Sequence, residues 1–144
     1  MDNSENPGRG RQFEAIVAVW LHKQGIQVRP DFTIDVGANE ERKPHRFDLG
    51  SADPPVLVEC KCHTWTSGGN APSAKLTVWN EAMHYFACSP ELYRKMLVVS
   101  LDLRREQSLG EHYVKRYGHL IPRGVEIWEY DGSRFNAVQL YPRP

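Results

Sequence analysis

Asp48, Glu59 and Lys61 are the residues whose types and spacing are best suited to chemistry. They fall in residues 46–63, a stretch with the pattern of two short β-strands joined by the turn Asp53-Pro54-Pro55. With the turn centred between Asp53 and Pro54, Phe47 faces Cys60, Leu49 faces Val58 and Ser51 faces Val56, giving a mostly apolar side. The other side pairs Asp48 with Glu59 and Gly50 with Leu57, and it carries Lys61. Two carboxylates and an ammonium therefore collect on one face, with Gly50 leaving room beside them. Hard divalent cations such as Mg²⁺ take oxygen donors, usually one or two carboxylates with waters and substrate phosphates. Asp48 and Glu59 supply carboxylates, and the main-chain carbonyl of Cys60 is a third donor. Lys61 is spaced to hold or help deprotonate an attacking water and to stabilise charge growing on phosphorus. The combination matches metal-assisted hydrolysis of a phosphodiester. A second acid-x-Lys triplet, Glu41-Arg42-Lys43, lies in a polar stretch with no strand around it and shows what a chance match looks like.

The flanking patterns supply the elements that must position these groups. Phe13, Ile16, Val17, Trp20 and Leu21 recur at helical spacing from Arg11 until Gly25 stops the helix. Glu14 sits at the edge of this stripe and, taken alone, reads as a solvated flank residue. Residues 1–10 are polar, with Pro7, Gly8 and Gly10, and are expected to be a flexible lead-in to a single domain over 11–144. Ile26, Val28, Phe32, Ile34 and Val36 alternate with polar residues as in a half-buried strand, and Pro30 predicts an edge position or a bulge. After the hairpin, residues 64–73 form a loop beside the charged face, in which Trp65 either touches a substrate or belongs to a passive connector. Ser73 is spaced to cap a second helix whose stripe is Leu76, Trp79, Met83 and Phe86.

Further along, Ser89-Pro90-Glu91 has the signature of a short helix start, and residues 97–103 are apolar enough for a strand covered on both faces. The segment holding Arg104, Arg105, Lys115 and Arg116 reads as helical. Residues 125–130 and 134–140 form a hairpin about Asp131-Gly132. The order is that of an α/β sandwich with a central mixed β-sheet flanked by helices.

Glu14 on a first helix, Asp48, and Glu59-Cys60-Lys61 on the following strand together resemble the PD-(D/E)XK nuclease superfamily, whose members have the restriction-endonuclease-like fold. The likeness covers roughly residues 11–103 and extends to the order helix, three-stranded meander, helix, buried strand. Phe47 stands where the family's name places Pro. The resemblance implies that Asp48 and Glu59 bind Mg²⁺, with Mn²⁺ as a substitute, that Lys61 serves the attacking water, and that Glu14 completes the metal site. It implies a DNA endonuclease acting on duplex or branched DNA. Lys75, near the start of the second helix, is similar in place to an extra polar residue of some subfamilies. An alternative within the same fold is a DNA- or protein-binding module that has lost turnover.

The chain has 144 residues, with 40% apolar and 25% charged side chains, an ordinary composition for a soluble globular protein. Its 18 basic and 18 acidic residues cancel, which argues against coating nucleic acid through bulk charge but leaves room for a local basic surface. Arg9, Arg11, Arg46, Lys75, Arg104, Arg105, Lys115 and Arg116 are the candidates for that surface. Cutting two strands favours a homodimer, which presents one site to each strand. No apolar run reaches the ~20 residues of a membrane span and no signal-peptide core is present, so a cytoplasmic protein without membrane contact is expected. Cys60, Cys62 and His63, with Cys88, invite a zinc reading. However, Cys60 and Cys62 alternate along one strand with Val56 and Val58, as buried strand cysteines do.

Overall fold

The structure, a computed structural model, describes residues 7–144. Helix α1 runs Pro7–Lys23. Pro7 opens it at a position where a missing N–H costs nothing, so residues 7–10 are helical rather than a lead-in, and the rest of the expected lead-in lies outside the described residues. Strands β1 (Arg29–Val36), β2 (Lys43–Ala52) and β3 (Pro55–Lys61) follow as a meander, then α2 (Ser73–Ala87) and β4 (Arg94–Ser100). A two-stranded ribbon of β5 (Leu103–Arg104) and β6 (Gln107–Ser108) leads into α3 (Leu109–Tyr117) and a short 3₁₀ turn, Gly118–Leu120. The chain ends on β7 (Val125–Asp131) and β8 (Asn136–Tyr141).

Six strands form one mixed sheet in the order β1-β2-β3-β4-β7-β8. The pairs β3–β4 and β4–β7 are parallel and the others antiparallel. The expectation of an α/β sandwich with a central mixed sheet flanked by helices therefore holds. On one face α1 packs Phe13, Val17, Trp20 and Leu21 against Leu49, Val58, Met96 and Val98. On the other, α2 packs Leu76, Trp79, Met83 and Phe86 against Phe47, Leu57, Leu97 and Val99. Each such side chain contributes about 1.5–3 kcal/mol on burial, which makes these two layers the rigid frame of the site. The strand covered on both faces is β4, which starts three residues before the expected 97–103, at Arg94, and is central with Lys95–Val99 all buried; Leu103 belongs to β5 instead. β1 is an edge strand, the place Pro30 requires.

Several local expectations give way to tertiary bonds. Ser73 is the first residue of α2 rather than its cap; Pro72 precedes it and no side chain caps the helix. Ser89 donates its hydroxyl to the Tyr85 carbonyl at 2.7 Å, and residues 89–93 form a turn, not a helix. The expected helix after Leu103 starts only at Leu109, where Ser108 caps it by accepting the Glu111 N–H at 3.0 Å. Asp131-Gly132 begins a four-residue loop, since Asp131 pairs with Asn136; the Asp131 carboxylate accepts both the Ser133 N–H and its hydroxyl. Among the described residues, no helix is long and apolar enough to cross a membrane.

Candidate active site

The β2–β3 hairpin has the register its turn dictates as far as Leu49 opposite Val58, with Gly50 opposite Leu57 and Ser51 opposite Val56. There the backbone ladder stops. In its place the side chains interlock: the Cys60 N–H donates to Asp48 Oδ2 at 2.8 Å, and the Asp48 N–H donates to Glu59 Oε1 at 3.3 Å. Each carboxylate thus takes up a donor that the sheet would otherwise have paired, and the two acids are held at the point where the strands part. The β1–β2 ladder also skips a step here, between Pro30–Leu49 and Phe32–Phe47, and Asp31 has φ 54°.

The side-chain alternation of β2 slips at this break. Leu49 joins the α1 layer, whereas Phe47 turns to the α2 layer and stacks on Phe86 with ring centroids 5.7 Å apart. The expectation that Phe47 and Cys60 share a face fails for this reason, because strict period-two alternation needs an unbroken ladder. The space expected beside Gly50 is also taken. A Cβ at Gly50 would lie 2.5 Å from Phe32 Cδ2, so the glycine admits the Phe32 ring rather than a ligand.

Glu14 reaches this break from α1 and Lys61 from the last position of β3, beside Val99 of β4. Lys61 Nζ is 4.0 Å from Glu59 Oε2. Burial, and next the charge of Asp48, pushes the Glu59 carboxyl up to about 8. The same two causes in the same order push Glu14 up to about 7. Arg11 acts the other way, lying 3.8 Å from Glu14 and 3.2 Å from Asp31. Glu14 and Glu59 thus converge on Asp48 with one ammonium among them, and burial together with the Asp48 charge disfavours the ionised forms of Glu14 and Glu59. The donors of this set are hard oxygens, which suit Mg²⁺ or Mn²⁺. Among the described residues no group of three or more His, Cys, Asp or Glu side chains converges tightly enough to enclose an ion. Mg²⁺ makes no such demand, because it keeps several waters and takes one or two carboxylates.

The remaining predicted residues are less central. Arg46 is exposed and lies 3.7 Å from Asp31, a partner that sequence reasoning left on the solvent side; the signal was Pro30, which marks an interrupted edge strand. Lys75 is half-buried in the first turn of α2. His63 accepts the Trp79 indole N–H at 2.7 Å. Trp65 is 9% exposed, so it offers little surface of its own. Cys60 and Cys62 lie in the α1 layer, and burial raises both thiols.

No family model and no curated protein matches the chain. Two solved structures share its fold. One is an fdxN element excision controlling factor protein from Anabaena variabilis, with 16% identity and a TM-score of 0.52 over 88% of this chain and 95% of that one. The other is an XisH family protein from Nostoc punctiforme, with 17% identity and a TM-score of 0.50 over 88% of this chain and 96% of that one. At these identities the likeness is one of fold.

Proposed function

We propose that the chain is a Mg²⁺-dependent DNA endonuclease of the PD-(D/E)XK type, hydrolysing phosphodiester bonds with a water served by Lys61. The observation that carries this reading is the interlocked pair Asp48–Glu59, with Lys61 4.0 Å from Glu59 and Glu14 brought in from α1. A protein that needed only the hairpin could have kept its backbone ladder. Here the ladder is given up so that two acids meet, and both Glu14 and Glu59 sit with raised pKa values. Arrangements of this kind are found where function outweighs stability. The solved structure from Anabaena variabilis is named for controlling excision of the fdxN element, which is compatible with work on DNA phosphodiesters.

Asp48, Glu59 and the Cys60 main-chain carbonyl would hold the cation, with Glu14 completing the set. Bound there, Mg²⁺ would neutralise phosphate charge and acidify a water. The chain's own groups do the rest. Lys61 orients the attacking water through its ammonium and faces the charge that grows on phosphorus. Asp48 and Glu59 are held rigidly by the Cys60 and Asp48 N–H groups, so they need no reorganisation at the reactive moment. Duplex DNA is the natural substrate for a homodimer, one copy addressing each strand. The experiment is cleavage of linear, supercoiled and branched DNA with Mg²⁺ or Mn²⁺. Cleavage of at least one form is expected, and inertness of the purified protein toward all three under both cations would overturn the reading.

A further inference from the structure

Lys61 ends β3, and four residues later the chain reaches Trp65, which is fastened to the segment following β4. The Trp65 backbone N–H donates to Asp102 Oδ2 at 2.8 Å, and its indole N–H donates to the Asp102 carbonyl at 3.0 Å. Two residues beyond Asp102, Arg104 lays its guanidinium over the indole, with Cζ 4.4 Å from the ring centroid. Gly69, at φ 81°, brings the loop against the same side chain; a Cβ there would meet Arg104 Cδ at 3.5 Å. The guanidinium thus lies over an anchored aromatic ring, with the Gly69 backbone close to the same side chain. Yet Arg104 Nε is buried without a hydrogen-bond partner, and no carboxylate of the described residues pairs with the side chain. With Nε buried, a ligand would be met by the terminal nitrogens of this half-buried side chain, which no carboxylate of the described residues neutralises.

We propose that Arg104, supported on Trp65, is a phosphate clamp that grips the nucleic-acid backbone a few nucleotides from the bond that is cut. This assignment rests on the nuclease reading for its ligand. β3 and β4 are parallel, so Lys61, Trp65 and Arg104 belong to the same, carboxyl end of the sheet, where open α/β sheets receive ligands. Four residues of chain span at most roughly 14 Å. One DNA strand advances about 3.4 Å per nucleotide along the helix axis, so Trp65 lies within about four nucleotides of a phosphate at Lys61. A guanidinium stacked on an aromatic face keeps its edge free, and that planar fork matches two phosphate oxygens. The surroundings are cationic as well. His112 packs edge-on against Trp65 with ring centroids 5.2 Å apart, and its proton affinity is lowered by burial first and then by Arg104, Arg116 and Lys115. Arg116 and Lys115 are exposed on the last turn of α3.

The test uses the full chain carrying Lys61→Ala, which binds without cutting, and a labelled DNA duplex titrated between 50 and 200 mM salt, a range over which phosphate contacts dominate the salt response. Adding Arg104→Gln should weaken binding about tenfold at the lower salt and reduce the slope of log K against log salt by about 0.9, the signature of one lost phosphate contact. Unchanged affinity and slope in a variant that melts normally would overturn the clamp. So would weaker binding with an unchanged slope, since that marks a disturbed Trp65 rather than a lost phosphate. Should Arg104→Gln fail to fold, an arginine-selective dicarbonyl reagent read by mass spectrometry on the Lys61→Ala protein replaces it. Duplex DNA should then protect Arg104 from modification, and equal labelling with and without DNA would overturn the proposal. Absence of any duplex binding overturns the nuclease reading and the clamp together; binding indifferent to Arg104 overturns the clamp alone.

Discussion

Replacing Glu59 by Gln should stabilise the metal-free protein at alkaline pH while abolishing cleavage. Glu59 is 8% exposed, and burial followed by the charge of Asp48 raises its carboxyl from an ordinary 4.5 to about 8. A folded-state pKa above the unfolded one means that the folded protein holds the proton more tightly. Stability from the neutral carboxyl is therefore full below the unfolded pKa and is lost as pH rises from about 4.5 through about 8. At about 1.4 kcal/mol per tenfold, ionised Glu59 costs the fold on the order of 5 kcal/mol once pH passes 8. Gln keeps the size of the side chain and the oxygen that accepts the Asp48 N–H, but it never ionises. Thermal melts in chelator should show the variant higher by about 13 °C at pH 8, at roughly 3 °C per kcal/mol, with the gap closing toward pH 4.5. Added Mg²⁺ should raise the wild-type melting temperature and leave the variant nearly unchanged, narrowing the gap from the other side. A variant that melts at or below the wild type at pH 8 would refute the claim that burial, with the charge of Asp48 beside it, makes the ionised Glu59 carboxylate costly to the fold.

Other outcomes follow from the same frame. Gly50→Ala places a methyl 2.5 Å from Phe32 Cδ2 and should cost about 1–3 kcal/mol in urea melts; an unchanged midpoint would contradict the close packing of the edge strand on the site strand. Glu126 accepts two bonds from Arg94 at 2.8 and 2.9 Å and one from the Trp128 indole at 2.9 Å. Burial raises its pKa, but the bonds from Arg94 and Trp128 outweigh it and the net shift is downward. Stability from this group is present above the unfolded pKa and lost as pH falls through the lowered folded value. Glu126→Gln should accordingly cost about 1–3 kcal/mol near pH 7 and progressively less in acid, and a penalty independent of pH would contradict the ion pair as its source.

The parts of the fold that were legible in the sequence are those where one periodicity governs many residues. The stripe Leu76, Trp79, Met83 and Phe86 is the buried face of α2, and Phe13, Val17, Trp20 and Leu21 that of α1. The turn at Asp53-Pro54 set the hairpin register, and with it the meeting of Asp48 and Glu59. What alternation could not reveal is that this meeting ends the ladder. Phe47 crosses to the α2 layer because side chains, not backbone groups, bridge the strands at Asp48. Arg104 was legible only as one basic residue among eight. Its distinction is a stacking on Trp65 that Asp102 arranges from 37 positions away, a contact without local signature. Ser89 failed as a helix signal for a related reason, its hydroxyl being taken by the Tyr85 carbonyl.

The most direct test of the central claim is the cleavage of supercoiled plasmid by the wild type and by Lys61→Ala in the presence of Mn²⁺ or Mg²⁺. Lys61 is 4.0 Å from Glu59 at the junction of the three carboxyls, so its loss should leave the fold and DNA binding in place and remove turnover by at least about a hundredfold. Metal-dependent nicking by the wild type that disappears in the variant is the predicted result. Nicking that persists undiminished in Lys61→Ala would contradict the account.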